Sequence, residues 1–221
     1  MERLTLHALA ESARAFCQGE SGVYRKELFG ITDGKAVGTF VEHAFRAYLQ
    51  ARFDMDAGSS ASGLDLPSVN TDIKVTSVRQ PQSSCPYRDS KQKIYGLGYN
   101  LIVFVYQKYD DAATGMGMLE FLSCTLIEAG RTADYQTTTG LRQIVDNHGN
   151  VEDVYAFLCN HRIPGDDVTL MNMARDILQN PPAIGYLTIS NALQWRLQYG
   201  RVVTMDESVS GIVHIVKHAH D

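Results

Sequence analysis

The sequence predicts an α/β fold in which helices flank a mixed central β-sheet. Three segments rich in β-branched and aromatic residues, 71–78, 99–107 and 118–127, predict the central strands. Apolar residues at helical spacing predict helices before and after these strands. With 221 residues, of which 44% are hydrophobic, the chain is long enough to bury a substantial core. We therefore expect a single domain over residues 1–221, in which residues 130–221 form a mainly helical C-terminal part.

Two amphipathic helices are predicted before the first central strand. Residues 2–18 carry apolar side chains at helical spacing, and Gly19 ends this helix. The second helix is expected from about Gly34 to Phe53, with Asp33 in position to cap its first turn. Its wide apolar stripe favours packing against the rest of the fold.

Glu42 borders the apolar stripe of the second helix. Gly38, Glu42 and Phe45 stand at i, i+4 and i+7, so they share one face of the helix. A glycine on that face allows a close approach of the sheet. Glu42 is therefore a candidate buried acid, and the alternative is an ordinary surface pair with Arg46 at i+4.

The first central strand carries two charged residues on one face. Because side chains alternate along a strand, Asp72 and Lys74 project from the same side, and a further carboxylate, Asp65, lies in the preceding loop. Two carboxylates that meet at one point repel each other, and a divalent cation between them relieves the repulsion. All-oxygen ligands favour Mg²⁺, which polarises a phosphoryl oxygen and activates a bound water. Lys74 would orient that water or neutralise charge that develops on the phosphate.

The order of these residues resembles the MutH-like branch of the PD-(D/E)xK nucleases. The pattern runs Lys35-x-x-Gly38-x-x-x-Glu42, then Asp65, then Asp72-x-Lys74, within residues 33–78. Leu64 stands where the family usually has proline, and Asp72 stands where it usually has glutamate. The resemblance implies a restriction-endonuclease-like core.

The resemblance also implies a function and a set of site residues. It implies a homodimeric type II restriction endonuclease that uses Mg²⁺ to hydrolyse phosphodiester bonds in double-stranded DNA at a short specific sequence. The implied catalytic residues are Glu42, Asp65, Asp72 and Lys74, and the implied metal ligands are Glu42, Asp65, Asp72 and the backbone carbonyl of Ile73. A DNA-repair nicking enzyme or a junction resolvase would use the same parts. A non-catalytic DNA-binding or scaffold protein would instead use these charges as a structural ion-pair cluster.

A positively charged stretch follows the candidate site in a chain whose net charge is −5. From Lys74 to Lys93 there are five basic residues and one acid, and residues 79–88 are polar and interrupted by prolines. Arginine and glutamine read base edges and serine holds phosphates, which favours DNA contact over an ordinary surface loop. Basic and aromatic side chains also interleave between residues 194 and 201, either on a DNA-facing surface or packed on the core. The predicted DNA-contacting residues are Lys35, Arg79, Gln80, Gln82, Ser83, Ser84, Arg88, Lys91, Lys93, Arg196 and Arg201.

Several other classes are disfavoured. The four cysteines form no Cys-x-x-Cys pair, so neither a zinc knuckle nor a disulfide framework is indicated. No apolar run approaches the roughly 20 residues that span a bilayer, and the first residues lack the apolar stretch of a signal peptide, so we expect a cytoplasmic protein. His214, His218 and His220 lie near the chain end, where expected fraying argues against a metal site.

Overall fold

The computed structural model describes residues 1–55, 63–84, 89–190 and 195–217. Its strands and helices, in chain order, are β1 Glu2–Arg3, α1 Leu6–Glu20, α2 Gly34–Gln50, β2 Phe53–Asp54, β3 Thr71–Ser77, β4 Gln82–Ser84, α3 Lys91–Tyr95, β5 Asn100–Asp111, β6 Met116–Ile127, α4 Tyr135–Asp146, α5 Val151–Asn160, α6 Asp167–Gln179, β7 Thr188–Ser190, β8 Arg196–Gln198, α7 Gly200–Thr204 and β9 Ile212–Lys217. The predicted α/β class, with a mixed sheet and flanking helices, is confirmed.

The chain folds as two compact units. The first contains Met1–Ser83, Tyr99–Ile127 and Asp206–Asp221, and the second contains Ser84–Gly98 and Glu128–Met205. In its described residues, the part predicted to be mainly helical, 130–221, holds four helices but also three short strands, and the last of these strands belongs to the first unit. A single domain over the whole chain stays a prediction. None of the described helices is long and apolar enough to cross a membrane.

The first unit is built on a four-stranded mixed sheet in the order β3-β5-β6-β9. Strand β3 runs parallel to β5, whereas β6 is antiparallel to both β5 and β9. The three predicted central strands are therefore confirmed, and β3 lies at one end of the sheet among the described residues. Edge placement matters for function because the backbone groups on one side of β3 face away from the ladder with β5.

Strand β9 corrects the expectation that the chain end frays. Residues 212–217 pair with β6, and the Nδ1 atom of His214 lies 3.2 Å from the Thr125 hydroxyl. The β-branched residues of this segment favour a strand, and the backbone pairs with the open side of β6. Tertiary pairing therefore orders a segment that was expected to fray because of its position near the chain end. His218 and His220 lie outside the described residues.

Helices α1 and α2 cover one face of the sheet because each carries a buried apolar stripe. Phe16 from α1 and Phe45 from α2 meet Phe104 and Phe121 of the sheet, with ring centroids 5.0 to 6.1 Å apart. Truncating a buried ring such as Phe45 typically costs about 3–5 kcal/mol. The caps that start these helices, Thr5 for α1 and Asp33 for α2, accept backbone N–H groups of the first turn. The predicted Asp33 cap is confirmed.

The second unit holds helices α4, α5 and α6 around their own apolar cluster. Buried residues of this cluster are Ile94, Leu141, Val154, Leu158, Ile163, Leu170, Met173, Ala174 and Ile177. Asp134 caps α4 through the Thr137 N–H at 2.8 Å, and its other oxygen accepts the Ile189 N–H at 2.7 Å, which ties β7 to the helices. The helices predicted over 135–147, 151–159 and 166–179 are confirmed within one residue at each end.

Candidate functional site

Asp72 and Lys74 form an ion pair on β3. The ammonium Nζ of Lys74 lies 2.6 Å from Oδ2 of Asp72, and the two side chains are 19% and 8% exposed. Their common face is the one predicted from strand alternation. The same face carries Leu101 and Val103 of β5, which stand opposite Asp72 and Lys74 in the ladder and are buried. The charged pair therefore sits in a largely apolar part of the sheet, where its charges are weakly screened by water.

Asp65 approaches the pair from the outer edge of β3. Its Oδ2 accepts the Ile73 N–H at 2.9 Å, and its carboxyl is within hydrogen-bonding reach of the Asp72 carboxyl. The loop is closed on this edge by two backbone hydrogen bonds between Leu66 and Thr71, of 3.0 and 3.1 Å. The sequence separation of seven positions between the two acids is thus bridged by a tight loop, and the predicted meeting of Asp65 with Asp72 is observed.

The electrostatics of Asp72 follow from this crowding. Burial, together with the hydrogen bond with Asp65, raises the pKa of its carboxyl to about 6 against the opposing effect of the Lys74 ammonium. One ammonium thus faces two carboxylates in a site that disfavours the ionised form of Asp72. A divalent cation would supply the missing positive charge.

The Ile73 carbonyl points toward the same edge as Asp65. The Asn100 N–H donates to the Asn70 carbonyl and the Val78 N–H donates to the Tyr106 carbonyl, so even-numbered backbone groups of this strand face β5. The Ile73 N–H instead donates to Asp65, and the N–H and C=O groups of one strand residue lie on the same side. The Ile73 carbonyl therefore lies beside the Asp65 carboxylate, as a metal ligand at this position would have to.

Helix α2 packs closely on β3 at Gly38. A Cβ atom added to Gly38 would lie 3.8 Å from the Val75 carbonyl oxygen and 3.9 Å from the Val75 Cβ atom. Glu42 lies one helical turn after Gly38. The predicted close approach at Gly38 is confirmed.

The Glu42 carboxylate nevertheless points to Arg46. Its Oε1 lies 3.8 Å from an Arg46 guanidinium nitrogen, and the Glu42 side chain is 29% exposed. Among the described residues, no group of three or more His, Cys, Asp or Glu side chains is arranged to hold a metal ion. Helix α2 packs on the face of the sheet that carries Ile73 and Val75, whereas Asp72 and Lys74 project from the opposite face, so Glu42 is not joined to the two aspartates in this conformation.

The chain turns sharply after β3 and exposes two predicted DNA-contacting residues. Arg79 and Gln80 are exposed in the turn, Gln82 and Ser83 are half-buried, and Ser84 is exposed. Arg88 lies outside the described residues. At the start of α2, Lys35 is exposed, so its ammonium is accessible to a phosphate.

The predicted contacts of the second unit are more varied. Lys91 is exposed and pairs with Asp176 at 3.3 Å, and the Arg201 guanidinium lies 3.4 Å from the Tyr135 ring centroid. Arg196 is half-buried in β8. Lys93 is only 8% exposed, its Nζ lies 6.0 Å from the Trp195 ring centroid, and burial lowers the pKa of its ammonium. This placement gives no support to the predicted phosphate contact at Lys93.

Sequence reasoning did not single out Thr76 as a site residue. Its hydroxyl, on the Asp72 face of β3, hydrogen-bonds the backbone of Gln80 and Gln82. The strand alternation that marked Asp72 and Lys74 also places Thr76 beside them, and this was the signal that could have identified it.

Comparison with known proteins identifies the family of the chain. The family described as "Type II restriction enzyme NspV" matches residues 3–214 of the chain. The chain is also 47% identical over 218 residues to the type II restriction enzyme NspV from Nostoc sp., and the match covers 99% of each chain. No solved structure matches significantly. The chain therefore belongs to the NspV family of type II restriction enzymes, and it is a site-specific deoxyribonuclease.

Proposed function

We propose that Asp65, Asp72 and Lys74 form the catalytic centre of this restriction enzyme, with a site of the PD-(D/E)xK type and its MutH-like branch. The observation that carries the proposal is the contact of the buried Asp72 carboxyl with both Asp65 and the Lys74 ammonium at the edge of β3. Perturbed acids of this kind are more frequent at functional sites than in structural ion pairs. Glu42, one helical turn after the close approach at Gly38, is assigned a supporting role.

The donor set fits Mg²⁺. Asp65, Asp72 and the Ile73 carbonyl offer only oxygen ligands, and Mg²⁺ is usually held by one or two carboxylates together with waters and substrate phosphates. Such an ion would polarise the scissile phosphate and lower the pKa of a water. The raised pKa of Asp72 supports the assignment, because a buried acid pair with a single ammonium lacks positive charge.

Each residue then has a defined task in phosphodiester hydrolysis. Asp65 and Asp72 would hold the cation beside the scissile phosphate. Lys74 places its ammonium next to the attacking water and stabilises the charge that develops as the new phosphorus–oxygen bond forms and one bridging phosphorus–oxygen bond breaks. Glu42 accepts a hydrogen bond from a water of this group and thus fixes its orientation.

The substrate is double-stranded DNA, which the exposed Arg79 and Gln80 contact close behind the catalytic strand. Lys35, Gln82, Ser83, Ser84, Arg88, Lys91, Arg196 and Arg201 are further proposed contacts. We propose that the enzyme acts as a homodimer in the cytoplasm, since a short symmetric DNA sequence is matched by two copies of one site.

Digestion of unmethylated phage DNA with and without Mg²⁺ tests the proposed function. Discrete fragments that require the cation are expected, and run-off sequencing of their ends gives the recognition sequence and the cut positions. The Asp72→Ala protein should bind the same DNA without cutting it. Conversion of supercoiled plasmid to nicked circles alone would instead favour a nicking enzyme, and cleavage that persists in chelator would contradict the metal assignment.

A further inference from the structure

We infer that Thr76 is a positioning residue, which fixes the turn after the catalytic strand and couples DNA recognition to cleavage. This inference rests on the proposed function. Thr76 follows Lys74 by two positions, so Asp72, Lys74 and Thr76 project in one row from the same face of β3. Asp72 and Thr76 are each 6% exposed.

The Thr76 hydroxyl closes the segment of chain that leaves β3. It accepts the Gln82 N–H at 3.1 Å. It also lies 3.1 Å from the carbonyl oxygens of both Gln80 and Gln82, and it donates its single proton to one of them. A single buried hydroxyl therefore holds the beginning and the end of residues 80–82 against the catalytic strand.

The backbone of the turn makes it stiff. The Gln80 N–H donates to the Ser77 carbonyl at 3.3 Å, and the Arg79 N–H lies 3.3 Å from the Ser77 hydroxyl. The Gln82 N–H also donates to the Gln80 carbonyl at 2.8 Å, which makes a three-residue turn centred on Pro81. The proline ring fixes φ close to the value that an inverse turn of this kind requires. Few alternative conformations are open to a turn that is held at both ends and at its centre.

The exposed groups on this turn are those that read DNA. Arg79 presents a guanidinium and Gln80 a carboxamide, which make paired hydrogen bonds to guanine and adenine respectively. Arg79 follows Lys74 by five positions and Asp72 by seven, and the Thr76 hydroxyl further restricts the distance of the turn from these two residues. A misplacement of the reacting groups by about 1 Å can reduce the rate of catalysis about 100-fold. A stiff turn that fits only the correct base pairs will therefore align the scissile phosphate with the catalytic residues only at the correct DNA sequence.

The inference is tested by Thr76→Val and Thr76→Ser. Valine keeps the branched shape but loses the hydroxyl, whereas serine keeps the hydroxyl. The readout is the ratio of cleavage rates at the recognition sequence, identified from the wild-type digest, and at sites that differ by one base pair. We expect Thr76→Val to lower this ratio by about tenfold or more, mainly through kcat at the correct site, and Thr76→Ser to stay close to the wild type. A purely structural hydroxyl would change the melting temperature and leave the ratio of the folded enzyme unchanged, which would overturn the inference.

Pro81→Gly keeps the test decisive if the valine variant does not fold. It loosens the same turn from its half-buried outer side and leaves Thr76 in place, so it should lower the same ratio. If the wild type cuts DNA but Pro81→Gly discriminates as well as the wild type, the inference fails while the proposed function stands. If the wild type itself shows no metal-dependent cleavage, the proposed function is contradicted, and the inference about Thr76, which rests on it, is contradicted as well.

Discussion

Lys74 holds its ammonium 2.6 Å from the carboxylate of Asp72, two residues earlier on the same strand. Asp65 contacts the same Asp72, so the cluster carries one ammonium and two carboxyl groups. With both acids ionised, one negative charge is left over, in a place where burial makes that charge costly. In the proposed catalytic centre, a cation that shared the carboxylate oxygens would weaken the attraction of Lys74 to Asp72 and would leave its ammonium able to turn toward the phosphate. The ion pair would then be the resting arrangement of the proposed site.

Lys74→Ala should reduce cleavage by about 100-fold or more, because it removes the group that stabilises charge on the phosphate. The residual activity of Lys74→Ala should reach half its maximum at the same Mg²⁺ concentration as the wild type, since Lys74 is not a proposed metal ligand. Asp72→Ala should instead weaken cation binding, measured by calorimetry with an inert divalent ion. Lys108 provides the control, because it forms the same i, i+2 ion pair with Asp110 on β5. Equal losses of cleavage activity in Lys74→Ala and Lys108→Ala would mean that the loss of any ion pair on a strand reduces activity. That result would contradict the catalytic role of Lys74.

Asp72 should make the stability of the metal-free protein depend on pH. Its pKa is about 6 in the folded protein against 3.8 when unperturbed, so the folded state binds the proton more tightly than the unfolded state. The folded protein is therefore stabilised at low pH, and this contribution is lost as pH rises from about 4 to above 6, by about 3 kcal/mol in total. Urea unfolding of wild type and Asp72→Asn across this range measures the difference. Parallel curves for the two proteins would contradict the burial argument.

Arg79→Ala should weaken DNA binding without unfolding the protein, because its side chain is exposed. Loss of a base contact should cost about 1–3 kcal/mol at the recognition sequence only, whereas loss of a phosphate contact should reduce the salt dependence of binding by about one unit for every sequence. Binding titrations at several salt concentrations separate the two cases. Arg142, whose side chain is 40% exposed and pairs with Asp146 at 3.3 Å, is a suitable control. Unchanged affinity and salt slope in Arg79→Ala would remove this residue from the DNA interface.

The fold was predictable where local pattern and tertiary environment agree. The apolar run of β5 and the alternation of β3 need no distant information, and both strands begin within one residue of the predicted start, although β5 continues to Asp111 beyond the predicted end at 107. Strand β9 was missed because its order depends on pairing with β6, some 90 residues earlier in the chain. The local sequence near the chain end does not indicate that another strand is available for pairing.

The site was predictable in its local part only. Asp72 and Lys74 share a face by alternation, and the structure brings them together. The burial of Lys93 and the hydrogen bonds of the Thr76 hydroxyl depend on which segments of the chain pack against these residues in the fold. The spacing of charged residues along the sequence does not encode this packing. Charge alone predicts that a lysine is exposed, and only the packing around it reverses this expectation.

Gly38 should tolerate a methyl group and nothing much larger. A Cβ atom at this position would lie 3.8 and 3.9 Å from Val75 atoms, which is ordinary van der Waals contact. Gly38→Ala should therefore keep full activity and stabilise the helix by up to about 1 kcal/mol. Gly38→Leu should push α2 away from β3 and lower both stability and cleavage. Urea unfolding and cleavage rates of the two variants check this, and a Gly38→Ala protein that fails to fold would show that the helix lies closer to the strand.

The Glu42 carboxylate points to Arg46, although the helix that carries it packs closely on β3 at Gly38. If Glu42 orients a water at the catalytic centre, Glu42→Gln should keep the fold, since the two side chains are nearly isosteric, and should reduce cleavage by about 10 to 100-fold. The matched control is Arg46→Gln, which breaks the same ion pair from the other side. A surface pair at i and i+4 is worth only about 0.3–0.5 kcal/mol, so its loss cannot account for a large effect on cleavage. We expect cleavage to fall in Glu42→Gln and to remain near the wild-type rate in Arg46→Gln. Full activity of both proteins, with unaltered Mg²⁺ dependence, would confine Glu42 to the helix surface and leave Asp65, Asp72 and Lys74 as the whole of the site.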